Sequence, residues 1–361
     1  MKYYSLKKIL KHNAHYNLII GERSNGKTYS VLKHFIERAY NNNEDFAYIR
    51  RWAEDIRGRR GSEIFRALEH NNEIINITNG EYSGIFCYAR KFYFCNYDDD
   101  GKAIYNFNSP IGFSFALSET EHDKSISFPN IYNIVFDEFL TNRIELNNEF
   151  MLFMNTLSTI IRQREHVKIF MLGNTVNKYS IYFKEMGLDN VSKMQQGDID
   201  IYKYGDSGLK VAIEYCSPTT KLLKKNNYYF AFNSPKLDMI KSGAWELDIY
   251  PHLDIDYNNK DVVMRYFIIF DDIIYQCNII SKDNNFLTYI HKKTTPIKNN
   301  TDLIYTLEPN SNLYYNNNIY KPINQIQERI LWFFKTNRVF YSDNNVGNSI
   351  HNFLKICRGG V

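Results

Sequence analysis

The chain has 361 residues, of which 44% are hydrophobic and 23% charged, so it is long enough for two domains that each bury a core. No apolar run approaches the roughly 20 residues that a membrane-spanning helix needs, which argues against a membrane protein. A formal net charge of +4 permits a polyanionic partner without requiring one. Five scattered cysteines, none in a Cys-x-x-Cys pair, indicate neither a disulfide framework nor a zinc site.

The first residues contain lysines but no apolar segment of the kind found in secretory signals, so we expect the protein to stay in the cytoplasm where it is made. A short apolar strand is predicted at residues 16–20, directly before a glycine-rich loop. Apolar side chains at helical spacing follow in residues 28–40. The chain therefore begins with a strand, a loop and a helix.

A second strand, a helix that begins at Ser62 and a hairpin are predicted next, at residues 46–49, 62–70, and 86–94 with 105–106. Three further strands and a helix follow, at residues 111–117, 131–136 and 167–172 and at 150–161. Strands that alternate with helices predict an α/β fold with a mainly parallel sheet, whose ligands bind at the carboxyl ends of the strands.

After residue 203 the pattern changes to short strands with polar connectors. We predict an α/β domain that contains the glycine-rich loop at residues 1–203, a linker subdomain at 204–243 and a smaller α+β domain at 244–361. The last domain is expected to contain a hairpin, a further strand and two helices, at residues 262–270 with 273–279, at 286–290, and at 323–335 and 346–356.

The glycine-rich loop carries the pattern that binds nucleoside triphosphates. It reads Gly21-Glu22-Arg23-Ser24-Asn25-Gly26-Lys27-Thr28. Gly21 and Gly26 permit the backbone to curl so that successive N–H groups face the phosphates. Lys27 is expected to reach the β and γ oxygens, and Thr28 to offer its hydroxyl to Mg²⁺. The predicted ligands are therefore ATP and Mg²⁺.

Two acidic residues follow the predicted strand at residues 131–136. Asp137 is expected to hold magnesium, and Glu138 to polarise the attacking water. An acidic residue directly after the Walker B aspartate favours the class with an extra catalytic glutamate, which includes ring motors, helicases and packaging ATPases. Alone, the pair is equally compatible with an acidic strand end that has no catalytic role.

Asn174 follows the strand at residues 167–172, where such motors place a polar sensor of the γ-phosphate. Arg162 and Arg164, after the helix at residues 150–161, are candidates to act on the ATP of a neighbouring subunit. The alternative is that these arginines only favour the negative end of the helix dipole.

A basic segment is a candidate for contact with a nucleic-acid backbone. It contains Arg50, Arg51, Arg57, Arg59 and Arg60. It is equally compatible with a solvated face that pairs with Glu54 and Asp55. Lys124, in a polar loop before the Walker B strand, has the same two interpretations.

Two motifs carry a resemblance to a known family. They are Val135-Phe136-Asp137-Glu138-Phe139 and Ile161-Arg162-Gln163-Arg164-Glu165, together with Tyr48-Ile49-Arg50-Arg51, Lys124-Ser125-Ile126-Ser127 and the spacing from the loop to Asp137-Glu138. In these the chain resembles the DNA encapsidation ATPases of phi-29-like tailed phages. The resemblance covers the N-terminal domain well and the C-terminal half only in size and strand pattern.

The resemblance implies a homopentameric ring in the host cytoplasm, docked on the portal vertex of the prohead through a structural packaging RNA. The ring would drive double-stranded DNA into the shell with ATP. Lys27, Thr28, Asp137 and Glu138 would bind and hydrolyse ATP, and Arg162 would act in trans. The second domain would resemble an RNase H-like nuclease that has lost its active site.

An active nuclease needs several carboxylates that converge on two metal ions about 4 Å apart. The candidates lie in a predicted turn and a polar connector, and they are Asp271 and Asp272, and Asp254, Asp256 and Asp261. These positions make nuclease activity doubtful. A P-loop helicase, a nucleotide kinase and a terminase-type enzyme with an active nuclease are the competing functions.

Overall fold

The computed structural model describes residues 4–119, 127–141, 146, 148–174, 180–217, 250–253, 255–283 and 285–359. The chain divides into two compact units, Met1–Glu246 and Leu247–Val361. Among the helices in these ranges, none is long and apolar enough to cross a bilayer.

The first unit is built on a ten-stranded sheet in its described residues. The strands are β1 (Tyr16–Gly21), β2 (Asp45–Arg50), β3 (Gly84–Tyr88), β4 (Lys91–Tyr97), β5 (Ala103–Tyr105), β6 (Gly112–Ala116), β7 (Ile131–Asp137), β8 (Lys168–Asn174), β9 (Ile199–Tyr204) and β10 (Leu209–Tyr215). Its helices are α1 (Lys7–Leu10), α2 (Lys27–Asn42), α3 (Arg59–Glu63), α4 (Arg66–His70), α5 (Glu73–Ile77), α6 (Glu149–Ile161) and α7 (Ile181–Glu185).

The strand order is β3-β4-β6-β2-β7-β8-β1-β10-β9, with β5 paired to β4. The six strands from β6 to β10 in this order run parallel, and β4 and β9 flank them antiparallel. The prediction of a mainly parallel α/β sheet is confirmed. Because the strands are parallel, the carboxyl ends of β1, β2, β7 and β8 meet at one edge of the sheet.

Apolar side chains cover both faces of this sheet. On one face, Val31, Leu32, Phe35 and Ile36 of α2 recur at helical spacing and pack on the sheet in one buried cluster. On the other, residues of α6 and α7 pack in a second cluster. The two layers of helices make the fold three-layered, and they hold the strand ends of the central sheet in place.

Two predictions about this sheet are wrong. Residues 86–94 do not form one strand, because Ala89 and Arg90, with φ of 47° and 63°, make a tight turn between β3 and β4. The predicted linker subdomain contributes β10, which lies parallel to β1, so the sheet extends beyond the predicted boundary at residue 203. A prediction about a helix is also wrong, because two short helices, α3 and α4, stand where one helix was predicted at residues 62–70.

The second unit contains a six-stranded sheet in its described residues. Its strands are β11 (Val262–Phe270), β12 (Ile273–Lys282), β13 (Asn285–Lys293), β14 (Ile304–Thr306), β15 (Tyr315–Asn316) and β16 (Val339–Tyr341), and its helices are α8 (Gln325–Lys335) and α9 (Asn344–Gly359). The order is β15-β14-β11-β12-β13-β16. The predicted hairpin is confirmed as the antiparallel pair β11 and β12.

Candidate active site

The glycine-rich loop lies between β1 and α2 and curls tightly over the start of the helix. Gly26, the residue before α2, has φ of 90°, a left-handed conformation that favours glycine. At Gly21 a Cβ atom would lie 2.9 Å from the Cβ of Cys216, so only glycine fits against the residue that follows β10. The loop therefore needs glycine at both positions for separate reasons.

The ammonium group of Lys27 is buried inside this loop. It donates to the carbonyl oxygens of Glu22 at 2.6 Å and Gly21 at 3.3 Å, to Oδ1 of Asn25 at 3.2 Å and to Oδ1 of Asn174 at 3.4 Å. Burial lowers the pKa of Lys27, and the charge of Asp137 is among the interactions that oppose this shift. These oxygens satisfy the charge that phosphate oxygens would satisfy when a nucleotide binds.

Asp137 ends β7 and is buried beside the first turn of α2. The Thr28 hydroxyl donates to its Oδ1 at 3.2 Å, and the Tyr48 hydroxyl donates to its Oδ2 at 2.8 Å. Burial raises the pKa of Asp137, and the nearby Arg50 guanidinium opposes this shift. A hydroxyl and a carboxylate side by side are oxygen ligands of the kind that Mg²⁺ prefers, and Mg²⁺ takes only one or two carboxylates when phosphates and water complete its shell.

Glu138 lies one residue beyond β7, in a left-handed conformation with φ of 60°. A non-glycine residue in this region is uncommon and marks a backbone that its surroundings hold in place. The Glu138 side chain is 57% exposed, and its Oε2 lies 2.7 Å from a guanidinium nitrogen of Arg50. A carboxylate in this position is open to water while an ion pair fixes its direction.

Arg51 holds the turn that contains Glu138 from the inside. It is buried and forms a two-pronged ion pair with Glu149 of α6, at 2.7 and 2.8 Å. It also donates to the carbonyl oxygens of Glu138 at 3.2 Å and Phe139 at 2.7 Å. Glu149 accepts in addition from the Tyr182 hydroxyl at 2.8 Å. The network joins β2, the turn after β7 and the start of α6.

These groups face a cleft of about 730 Å³ at the carboxyl edge of the sheet. Most predicted nucleotide-binding residues line it, namely Arg23, Ser24, Asn25, Gly26, Lys27, Thr28, Asp137, Glu138 and Asn174. Gly21 and Glu22 do not line it. The Glu22 side chain is buried, and these two residues contribute backbone carbonyls to Lys27.

Arg162 does not lie at this cleft. It ends α6 with φ of 51° and is exposed. Since α6 runs back along the sheet from the carboxyl ends to the amino ends of the strands, Arg162 lies at the amino edge of the sheet, opposite the edge that holds Lys27. Arg164 already has partners within its own chain. Its guanidinium donates to the carbonyl oxygens of Ile131, Pro129 and Ile160, and it lies over the ring of Tyr132.

The predicted nucleic-acid contacts are only partly brought together. Arg57 pairs with Glu119, and Arg60 donates to the Glu54 carbonyl at 2.8 Å. The side chain of Arg59 and all of Lys124 lie outside the described residues. Arg50 and Arg51, which the sequence placed in the same basic segment, turn inward to the cleft and the buried network.

Tyr48, Arg50 and Arg51 are therefore site residues that the sequence reasoning assigned elsewhere or missed. The sequence contained a signal for their position. Tyr48 and Arg50 lie at the end of β2, Arg51 follows it, and Ile49 of β2 lies opposite Phe136 of β7. Once β2 is placed beside β7, its last residues must lie next to Asp137. Only the order of the strands was lacking.

The candidate nuclease carboxylates of the second unit lie far apart. Asp271 and Asp272, with φ of 54° and 58°, form the turn between β11 and β12. Asp261 precedes β11 at its other end. Nine strand residues at about 3.3 Å each separate the two positions by roughly 30 Å. Asp254 lies outside the described residues, and no cluster of three or more acidic, histidine or cysteine side chains in the described ranges is arranged to hold a metal.

A mainly parallel sheet defines the class of P-loop proteins when a glycine-rich loop joins one of its strands, here β1, to a helix, and acidic residues follow another strand, here β7, with one strand between the two. The sequence profile of the family described as Podovirus DNA encapsidation protein (Gp16) matches residues 1–203. This chain belongs to that family.

Curated relatives agree with this assignment. The DNA packaging protein of Bacillus phage phi29 is 28% identical over 186 residues, which cover 50% of this chain and 49% of the relative. That of Bacillus phage B103 is 29% identical over 177 residues, 48% of each chain. The chain thus spans about half the length of the curated relatives it matches.

Two solved structures share the fold over nearly the full chain. The Phi-28 gp11 DNA packaging motor has a TM-score of 0.56 at 16% identity and covers 99% of this chain and 98% of its own. The bacteriophage Phi-29 viral genome packaging motor assembly has a TM-score of 0.54 at 21% identity, with 98% and 99% covered.

Proposed function

We propose that the chain is the ATP-hydrolysing subunit of a motor that moves double-stranded viral DNA into a prohead. The observation that carries the proposal is the cleft in which Lys27, Asp137 and Glu138, from separate segments, face one space of about 730 Å³. Membership of the encapsidation family supplies the cargo. The phage relatives are named for DNA packaging and packaging motors.

The loop and its helix are proposed to bind the nucleotide. Lys27 would exchange its contacts with Glu22, Asn25 and Asn174 for phosphate oxygens, and the N–H groups around Gly26 would add fixed donors. Thr28 and Asp137 would hold Mg²⁺, which neutralises phosphate charge when it is bound. Asn174 is placed beside Lys27, where it would sense the terminal phosphate.

Glu138 is proposed to act on the attacking water. Its Oε2 accepts from the Arg50 guanidinium at 2.7 Å, so the ion pair fixes the direction of the carboxylate, whose oxygens can accept a hydrogen bond from the attacking water. Arg51 donates to the backbone carbonyls of Glu138 and Phe139, so the direction of the Glu138 side chain depends on two arginines that follow one another at the end of β2.

Arg162 is proposed to complete the site of a neighbouring subunit in a homopentameric ring. Its exposure and its place on the edge opposite Lys27 support a role between subunits. The ring would work in the host cytoplasm, docked through a structural packaging RNA on the portal of the prohead. An arginine supplied in trans is worth about 10³ to 10⁵ in turnover in other phosphoryl-transfer enzymes.

The second unit is proposed to be an RNase H-like domain that binds nucleic acid without cleaving it, and it follows the ATPase domain in the chain. Its sheet supports this, because β11, β12 and β13 are antiparallel, β14 is parallel to β11 and β15 is parallel to β14. The separation of Asp261 from Asp271 and Asp272 argues against a terminase-type enzyme with an active nuclease.

The test is the Glu138→Gln variant. We expect it to bind ATP with little change in affinity and to lose hydrolysis by about 10² to 10⁴, because an amide cannot take up the proton. ATP hydrolysis is measured with and without proheads and DNA, and packaging by protection of DNA from nuclease. Glu185→Gln, an exposed residue of α7, is the matched control.

In the wild-type protein, proheads and DNA together should stimulate hydrolysis. Packaging by Glu138→Gln at the wild-type rate would refute the assignment of Glu138. ATP-driven strand separation without any packaging would favour a helicase instead.

A further inference from the structure

Three lysines and a histidine lie side by side at the amino edge of the first sheet. Lys203 of β9 is directly opposite Lys210 of β10. Tyr16 is in register with Val211 and Ile169, so His15 lies between Lys210 and Lys168. Backbone bonds from His15 N to Lys210 O at 2.9 Å, and from Ile169 N to His15 O at 2.8 Å, continue this register. We call Lys203, Lys210, His15 and Lys168 the basic row.

Residues in register on adjacent strands point to the same face, so the basic row has one common face. It is the face of α2, because Ile19, Phe170 and Ala212, each an even number of residues further along their strands, belong to the cluster that contains α2. Helix α1 lies on the same face against β10, and its neighbourhood adds exposed lysines, namely Lys7, Lys8 and Lys11.

In the described part of the chain, no ion pair reaches the lysines of the row. Lys168 instead donates to Oδ1 of Asn13 at 2.7 Å and to the carbonyl oxygens of Asn13 and Ala14. Like charges directly opposite on paired strands are destabilising, yet Lys203 faces Lys210. Burial lowers the pKa of His15, and the positive charges of Lys168, Lys210 and His166 lower it further.

We propose that the basic row binds the phosphodiester backbone of a nucleic-acid duplex. Adjacent strands are about 4.8 Å apart, so the four positions span roughly 14 Å, which is about four base-pair rises of 3.4 Å along the axis of a duplex. The flexible stems of the three lysines can therefore meet two or three phosphates. Arg57 of the basic segment, by contrast, is already paired with an acidic residue, Glu119.

The inference deepens the proposed function, because the duplex held by the row would be the cargo of the motor. The test compares the wild type with a Lys168→Gln/Lys203→Gln/Lys210→Gln variant. The control, Lys102→Gln/Lys184→Gln/Lys193→Gln, removes the same charge from exposed residues elsewhere in the first unit. Binding to a 30-base-pair DNA duplex and an RNA duplex of equal length is measured against salt concentration.

Each phosphate contact adds about 0.9 to the slope of log K against log salt for duplex DNA, so removing three lysines should lower that slope by about 2 to 3. At about 0.1 M salt we expect the affinity to fall at least 10-fold, and that of the control to change less than twofold. ATP hydrolysis without nucleic acid should be unchanged, since none of the three residues lies at the cleft.

A loss of affinity for the DNA duplex supports the proposal, whereas a loss confined to the RNA duplex overturns it, because the cargo of the proposed motor is DNA. The proposal is overturned if the triple variant and the control have equal slopes with both duplexes. It is also overturned if the affinity of the triple variant falls only under conditions where sedimentation shows that its self-association has changed. In either case the proposed function still holds if the wild type binds DNA. A wild type that binds neither duplex and does not package would refute the proposed function itself.

Discussion

Two aspartates of the first unit show how the surroundings of a single carboxyl group decide its role. Burial raises the pKa of both Asp137 and Asp45. Asp137 is compensated by Thr28, Tyr48 and Arg50. Asp45, at the start of β2, has no ion pair in the described residues, and its pKa rises to about 6. The partners of Asp137 therefore offset the burial of its charge, whereas the burial of the Asp45 charge lowers the stability of the fold.

We predict that Asp45→Asn stabilises the protein at pH 8 but not at pH 4. A carboxyl group whose folded pKa of about 6 exceeds its unfolded value near 3.9 binds more protons in the native state, so stability falls as the pH rises between these values. The amide has no such loss. Because the group is partly exposed, we expect a gain of about 1 kcal/mol at pH 8, measured by urea unfolding at both pH values.

Asp206→Asn, which changes an exposed aspartate in the turn between β9 and β10, is the control for this prediction. Its stability relative to the wild type should be the same at both pH values. An Asp45→Asn variant whose advantage did not grow between pH 4 and pH 8 would show that the carboxyl group is solvated.

At the scale of elements, one buried ion pair connects β2 and the turn that contains Glu138 to α6. Arg51 extends from the end of β2 to Glu149 at the start of α6, and its guanidinium also supports the backbone of Glu138. The far end of the same helix carries Arg162. Glu138 and Arg162, the proposed catalytic and intersubunit residues, are therefore connected through one buried ion pair and one helix.

We predict that Arg51→Met lowers the free energy of unfolding by about 3 to 5 kcal/mol, because it leaves the Glu149 carboxylate buried without its partner. The double variant Arg51→Met/Glu149→Gln should regain much of this stability, since no buried charge is left unpaired. Its turnover should nevertheless stay low at near-normal KM, because Glu138 and Phe139 still lack the Arg51 donor. Unfolding in denaturant and steady-state ATP hydrolysis measure the two effects.

Glu149→Gln alone serves as the control for the loss of the carboxylate, since the amide oxygen can still accept from Tyr182. Normal turnover in the stable double variant would mean that Arg51 contributes to folding and not to the position of Glu138.

At the scale of the whole molecule, each copy carries half of two proposed sites. The cleft with Lys27 lies at the carboxyl edge of the sheet, and Arg162 at the amino edge. A ring that places one edge against the other would complete every site. The basic row shares the amino edge with Arg162, so nucleic acid and the neighbouring subunit would approach the same edge of the sheet.

We predict that Arg162→Ala and Lys27→Ala subunits are each inactive alone and recover activity when mixed. A site with Lys27 from one copy and Arg162 from the next is complete in about one quarter of the positions of a 1:1 mixture, if the arginine acts in trans. ATP hydrolysis by assembled rings measures the recovery. A mixture of Lys27→Ala with Glu138→Gln, both on the same half-site, should remain inactive. Normal hydrolysis by Arg162→Ala alone would contradict the trans assignment.

Much of the cleft was predictable from local sequence. Gly26, Lys27 and Thr28 lie where the strand, loop and helix pattern placed them, and Asp137 and Asn174 lie at the ends of predicted strands. The observed α6, Glu149–Ile161, differs from the predicted helix by one residue. These features depend on residues close together in the chain, because the spacing of apolar side chains and the freedom of glycine decide the backbone locally.

The direction of the arginines was not predictable in this way. Arg50 and Arg51 belong to a basic segment in the sequence, and only the pairing of β2 with β7 turns them toward Asp137 and Glu138. In the same way, β10 joins the sheet from a segment that looked like a linker, because it pairs with β1 nearly 200 residues earlier. The alignment of Lys203, Lys210, His15 and Lys168 exists only through this pairing.

The sequence by itself determined that this protein has a phosphate-binding loop, a parallel sheet and an acidic pair at a strand end. The tertiary structure decided which charges meet at the cleft, which are buried as pairs and which remain on the amino edge without an acidic partner in the described residues. The physical reason is that the loop follows from neighbouring backbone conformations, whereas the partner of a charged side chain follows from the order of strands that are distant in the chain.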